Sequence, residues 1–194
     1  MDRRTVGTEL PDSMHVSKWV TALSNQYAGL LETSVIGSSM LGHNIYALHI
    51  GNRQRKVLYC GGVHGREWIT SLLLLSFAED LLSACRNGDR ICEMDIGRLL
   101  KSGGLTVIPA LNPDGIEISL HGAGIPGLSE LLGGQLTEQI SSGSNYRRWK
   151  ANARGVDINR NFDAGWDEMR SIALERGITG PSSEGWTGEY RVSE

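Results

Sequence analysis

At 194 residues, with 40% hydrophobic and 21% charged side chains, the chain has the composition of one soluble folded domain. Its 19 Lys and Arg against 22 Asp and Glu leave a formal charge of -3. That is too small a charge to capture nucleic acid or an anionic membrane surface, so a small-molecule or peptide substrate is expected. The longest apolar stretch, Leu72 to Ala78, is far too short to span a bilayer, and the polar start from Met1 to Thr5 has no apolar core behind it. No leader or anchor is expected, and the cytoplasm is the expected compartment. Cys60, Cys85 and Cys92 are an odd number without paired-ligand spacing, which predicts free thiols acting as small core residues in a reducing compartment.

In chain order, Val16, Trp19, Val20, Leu23, Tyr27, Leu30 and Leu31 recur at the three-and-four spacing of an amphipathic helix, with Ser13 positioned to cap it. Ser34 to Ile36 and Asn44 to Ile50 read as a hairpin-like pair of strands punctuated by Gly37 and Gly42. Lys56 to Cys60 reads as a buried strand ending at Gly61-Gly62, and Trp68 to Leu82 as the well-buried helix of a βα unit. Leu105 to Leu111 is a further central strand, weakened by Pro109, and Asn112-Pro113-Asp114-Gly115 has the residue types of a tight turn. From His121 to Gly143 the chain has no clear period, which predicts an irregular excursion with one short helix over Leu128 to Leu132. Strands alternating with helices predict an α/β domain with a largely parallel or mixed sheet, whose ligands collect at the carboxyl ends of strands. Val63-His64 and Asn112-Pro113 lie just past such ends.

Two constellations carry chemistry. In Gly61-Gly62-Val63-His64-Gly65-Arg66-Glu67-Trp68 an imidazole and a carboxylate stand three apart on the turn between strand and helix, where they can converge on one cation. Zn²⁺ accepts nitrogen and oxygen donors together, and a catalytic site needs three protein ligands and an open position. The same pair also fits a capping Glu beside a hydrogen-bonded His. The second constellation runs from Trp149-Lys150-Ala151-Asn152 to Val156-Asp157-Ile158-Asn159-Arg160-Asn161-Phe162, a basic aromatic run followed by an Asn-Arg pair after a short Val-Asp-Ile strand. A guanidinium is the natural partner of a substrate carboxylate because it donates two parallel hydrogen bonds. Alternatively, these basic residues belong to a solvated loop.

His64-Gly65-Arg66-Glu67-Trp68, Asn112-Pro113-Asp114-Gly115 and Gly155-Val156-Asp157-Ile158-Asn159-Arg160-Asn161-Phe162, in that order, resemble the zinc carboxypeptidase (carboxypeptidase A-like) metallopeptidase family over roughly residues 10 to 194. The Trp-Lys-Ala-Asn form and the lead-in from Ile36 to Gly42 resemble bacterial members that cut γ-D-glutamyl-diaminopimelate links in cell-wall peptides. The resemblance implies an α/β fold with a mixed, largely parallel sheet flanked by helices. It implies one Zn²⁺ ion bound by His64 and Glu67, with Asp157 behind the ligands orienting the His64 ring. It further implies Arg66 beside the scissile carbonyl, Asn159 and Arg160 gripping the substrate's free carboxylate, and a cation steadying the oxyanion. The implied partner is a peptide with a free carboxylate; nucleic acid and membrane are not expected, and nothing fixes the oligomeric state.

The sequence departs from the family pattern in two places. Many members have an arginine where this chain has Lys150, so the oxyanion role is open among Lys150, Arg148 and Arg66. The family's third zinc ligand and its general-base Glu lie downstream of the Asn-Arg block and have no counterpart here. His121 precedes that block, and His15, His43 and His49 read as structural or exposed. The closing segment from Thr179 to Glu194 resembles the family's Gly-Pro loop leading into Ser-Glu-Pro-Glu and a helix. The expectation is therefore a single partial catalytic domain over 1–194, truncated before its C-terminal strands and helices. An unpaired sheet edge, a partly disordered tail after about Asp163 and little activity of the piece alone are expected with it. Two other readings stay open: a non-catalytic binding remnant keeping the Asn159 and Arg160 grip, and a zinc amidohydrolase or deacylase.

Overall fold

The computed structural model describes residues 4–141 and 144–194, which divide into two compact units. The first comprises the chain up to Gly37, Asn44–Gly61 and Ile69–Leu111. Helix α1 spans Ser13–Gln26 and buries Val16, Trp19, Val20 and Leu23 on one face. Asp12, rather than Ser13, caps it, accepting the His15 amide at 2.8 Å. The helix stops short of Leu31 because Gly29 turns the chain at φ 85°, and Leu31 opens β1 (Leu31–Ser38). Strands β2 (Asn44–Gly51) and β3 (Lys56–Cys60) follow, then α2 (Ile69–Asn87), a short hairpin of β4 (Arg90–Ile91) and β5 (Met94–Asp95), α3 (Ile96–Ser102) and β6 (Gly104–Ile108).

The sheet order is β1-β2-β6-β3. It is mixed: β6 pairs antiparallel with β2, placing Leu48 opposite Val107, and parallel with β3, placing Tyr59 opposite Val107. Strand β6 ends at Ile108, immediately before Pro109, which has no amide to give to a ladder. Leu48, Ile50, Leu105 and Val107 join residues of α1, α2 and α3 in one core. His49 bridges Ser34 and Thr106 through its two ring nitrogens. Burial first, and then the charges of Arg53 and Lys56, hold its pKa below the ordinary histidine value, against a smaller opposite effect of Glu32.

Strand β3 is not buried as the sequence suggested. Val57, Leu58 and Tyr59 are 55%, 60% and 46% exposed, because β3 lies at the sheet edge. The adjoining helix is also only half covered: Ile69, Leu73 and Phe77, one every fourth residue, are exposed, and Phe77 meets Tyr59 edge-on with ring centroids 6.1 Å apart. By length and hydropathy alone Gly65–Asn87 could cross a bilayer. In this unit, however, α2 lends Leu75, Ala78, Leu81 and Leu82 to the core, and its buried Glu79 accepts the Val6 amide, so α2 is a core helix. The three cysteines are free, but Cys60 and Cys92 are exposed, so only Cys85 packs against the core.

The second unit comprises Ser38–His43, Gly62–Trp68 and Asn112–Glu194. Asn112-Pro113-Asp114-Gly115 starts a helix instead of closing a tight turn: Asn112 caps α4 (Pro113–His121) and Pro113 takes its first position. Those residue types serve both structures, and a helix start wants Asn at the cap and Pro just inside it. The excursion holds α5 over Leu128–Leu132, as expected, and also α6 (Gly134–Ser141). Ile118, Leu128, Leu132, Ile140, Trp149, Ala151 and Ala153 make this unit's core. The Val-Asp-Ile segment is not a strand; a 3-10 turn forms over Ile158–Arg160. Beyond Asp163, where a partly disordered tail was expected, the chain forms α7 (Trp166–Glu175) and a loop held by Asn161, whose side-chain amide reaches the carbonyls of Thr187 and Tyr190.

Candidate metal and carboxylate site

All the candidate residues belong to the second unit. The turn bearing His64 and Glu67 is a 3-10 segment, Gly65–Glu67, stitched to the basic run by backbone bonds. The Gly65 amide donates to the Lys150 carbonyl at 3.1 Å, and the Arg66 amide to that of Trp149 at 2.7 Å. Asn112 clamps the same junction: its Nδ2 lies 3.2, 3.3 and 3.1 Å from the carbonyls of Val63, Lys150 and Ala151, while its Oδ1 accepts the Gly115 amide. Ser119 of α4 donates to the Gly65 carbonyl at 2.8 Å. The turn rests so closely on α4 that a Cβ at Gly65 would stand 2.0 Å from the Gly115 carbonyl oxygen.

His64 presents one ring nitrogen to each of two carboxylates. Its Nδ1 is 3.0 Å from both Glu67 oxygens, and its Nε2 is 3.3 Å from Asp157 Oδ1. Asp157 is buried, and its other oxygen accepts the Gly185 amide at 3.1 Å and faces Arg160 Nε at 3.4 Å. One carboxylate therefore touches both the proposed metal pair and the proposed carboxylate grip. Among the described residues Asp157 Oδ1 has no hydrogen-bond partner, and His64 Nε2 lies 3.3 Å from it.

The donor set fits zinc in part. An imidazole nitrogen and a carboxylate at 3.0 Å are spaced as two donors reaching one ion through bonds of about 2.0–2.2 Å. On the far side of the ring, Asp157 Oδ1 lies 3.3 Å from Nε2. No group of three His, Cys, Asp or Glu able to hold a metal occurs among the described residues.

The three candidate cations divide. Arg66 Nη1 and Lys150 Nζ reach the same oxygen, Glu184 Oε2, at 3.7 and 3.5 Å. Arg148 is exposed at the end of a 3-10 segment and makes no ion pair among the described residues. Asn159 is exposed on the turn, and Arg160 is partly covered by Met169, whose sulfur lies 3.3 Å from Nη1. The other histidines of this unit have carboxylate partners of their own: His121 pairs with Glu117 at 3.6 Å, and His43 Nδ1 with the buried Asp114 at 2.8 Å. Sequence reasoning missed the Asn112 clamp and Glu184. Asn112 read as a turn former, and Glu184 has no local signature, since its position is set by the backbone on either side of it.

The zinc carboxypeptidase family model matches residues 16–193. Gamma-D-glutamyl-L-diamino acid endopeptidase 1 of Lysinibacillus sphaericus is 34% identical over 137 residues, covering 71% of this chain and 34% of that protein. Carboxypeptidase B of Bos taurus is 26% identical over 183 residues, covering 92% of this chain and 37% of its own. Among solved structures, thrombin activatable fibrinolysis inhibitor shares the fold with a TM-score of 0.69 at 20% identity, over 99% of this chain and 44% of its own. The chain thus spans less than half the length of each of these proteins. It belongs to the zinc carboxypeptidase family of metallopeptidases.

Proposed function

We propose that this chain carries the first part of the active site of a zinc peptidase that hydrolyses a peptide or amide bond beside a residue with a free carboxylate, and that 1–194 is one partial catalytic domain. The observation that carries this reading is the Asp157 carboxylate, which touches His64 Nε2 on one side and Arg160 Nε on the other. A metal donor and a carboxylate-binding guanidinium are thereby held in fixed relation, as a peptidase that measures distance from a free carboxylate requires. His64 and Glu67 would hold the zinc, which when bound polarises a carbonyl and acidifies its water. Asn159 and Arg160 would hold the leaving-group carboxylate. Lys150, 17% exposed, and Arg66 face one carboxylate oxygen, that of Glu184.

For substrate, the similarity to a γ-D-glutamyl-L-diamino acid endopeptidase supports γ-D-glutamyl peptides. Hydrolysis is the expected activity of the zinc-loaded site once a third ligand and a general base are supplied, and little turnover is expected of the 194 residues alone. The test is calorimetric binding of γ-D-glutamyl-L-lysine. Arg160→Ala should weaken binding about tenfold to a hundredfold, the scale of a lost charge-assisted pair. Arg148→Ala should leave it unchanged. Equal binding by wild type and the Arg160 variant would defeat the carboxylate grip and favour a site of another kind.

A further inference from the structure

Glu184 is an acidic side chain at this site with no part in the proposed chemistry, yet its position is tightly specified. The residue before it is pinned because the Lys150 and Ala151 amides both donate to the Ser183 carbonyl at 3.0 Å. The residue after it is pinned because the Gly185 amide donates to Asp157 Oδ2. Its own carbonyl accepts the Ser182 hydroxyl at 2.7 Å. A backbone fixed on both sides aims one carboxylate oxygen at Lys150 and Arg66 together.

The contacts themselves are loose. Distances of 3.5 and 3.7 Å are ion-pair separations without a hydrogen bond, and the Glu184 side chain is 54% exposed. Such pairs contribute little and are readily exchanged for a better-placed anion. A substrate carboxylate accepting two parallel hydrogen bonds from the Arg66 fork would be the better partner.

We propose that Glu184 is an internal stand-in for a second substrate carboxylate, and that Lys150 and Arg66 form a specificity subsite for an acidic group on the acyl side of the scissile bond. The inference rests on the assignment of the leaving-group carboxylate to Asn159 and Arg160. A γ-linked glutamyl residue suits it by its chemistry, because linkage through the side-chain carboxyl leaves the α-carboxylate free next to the acyl group. Glu184 fills the subsite in the free protein and sets a threshold: a neutral acyl residue gains nothing by displacing it, whereas an anionic one exchanges one carboxylate for another.

The test uses the whole 194-residue chain and two kinds of probe. Inorganic phosphate reads the cation pair independently of the peptide grip. Glu184→Gln should bind phosphate about threefold to tenfold more tightly than wild type, the range expected on removing a weak competing ion pair. Glu184→Asp should resemble wild type, and adding Lys150→Met to Glu184→Gln should abolish the gain. The second probe is γ-D-glutamyl-L-lysine beside its α-amide. Glu184→Gln should tighten the first by a similar factor and leave the second unchanged. Unchanged phosphate affinity in Glu184→Gln, a gain that survives Lys150→Met, or equal tightening of both peptides overturns the proposal. If the phosphate results hold while Arg160→Ala leaves peptide binding intact, the Glu184 subsite stands and the carboxylate grip fails. Should Glu184→Gln prove poorly folded, Glu184→Ala serves with the same expectations.

Discussion

Replacing Asn112 by Asp, a change of one atom in shape, is expected to destabilise the second unit by about 4 kcal/mol or more, and to do so more severely than replacement by Ala. The cap alone does not account for such a loss. Asp serves as well as Asn at a helix start, and the new carboxylate would keep one oxygen on the Gly115 amide. The loss comes from the other half of the side chain. In Asn112 its NH₂ group lies within 3.1 to 3.3 Å of three carbonyl oxygens, those of Val63, Lys150 and Ala151, and the residue is only 3% exposed. A carboxylate oxygen there would face three acceptors in a buried site, whereas Ala removes the shared donor without adding a charge, and the Lys150 carbonyl keeps the Gly65 amide. Urea unfolding of the two variants beside wild type checks the ranking. A near-neutral Asp variant would mean that the cap is all Asn112 provides.

The second large effect falls on Gly65. Its Cβ would lie 2.0 Å from the Gly115 carbonyl oxygen and 2.4 Å from the carbonyl carbon, both backbone atoms of α4 that no rotamer change can move aside. Gly65→Ala must therefore push the 3-10 turn off the helix, with loss of the Arg66 amide bond to Trp149 and the Ser119 bond to the Gly65 carbonyl. A cost of about 3 kcal/mol or more is expected, at the upper end for overpacking because backbone and not side chain must yield. His64 and Glu67 flank Gly65, so the same shift should separate the metal pair and lower zinc affinity. Gly134→Ala, at the start of α6 with nothing within 4 Å of the added methyl, should by contrast be neutral or slightly stabilising.

Much of the fold was legible in the sequence because its signals are local. The apolar stripe of α1 from Val16 to Leu23, the alternation in β2, the apolar run of β3 and the first part of the run that begins at Leu105 sit within the named elements, while Leu31 falls outside α1 and the residues after Ile108 outside β6. Burial of β3 was not legible: Lys-Val-Leu-Tyr-Cys reads the same in a sheet centre and at an edge, and the order β1-β2-β6-β3 is a long-range fact. Helix α4 was hidden because Asn-Pro-Asp-Gly begins helices and turns alike, and α7 because its polar face outweighs Trp166 and Ala173, its two buried residues. At the site, the spacing of His64 and Glu67 sufficed to suggest that they meet, and family resemblance added Asp157 to the far ring nitrogen. What spacing could not supply was the pairing of Arg66 with Lys150 through Glu184, since that depends on how Ser183 and Gly185 are held.

The measurement that bears most directly on the account is a zinc titration of the 194-residue chain, with the exposed Cys60 and Cys92 replaced by Ser so that their thiols cannot contribute. One equivalent of zinc should bind weakly, as a site with two protein donors dictates. His64→Ala and Glu67→Gln should each abolish that binding, and Asp157→Asn should weaken it about tenfold to a hundredfold by releasing the ring from its carboxylate. Zinc bound equally well by a chain lacking both His64 and Glu67 would contradict the assignment of this turn as the metal half-site.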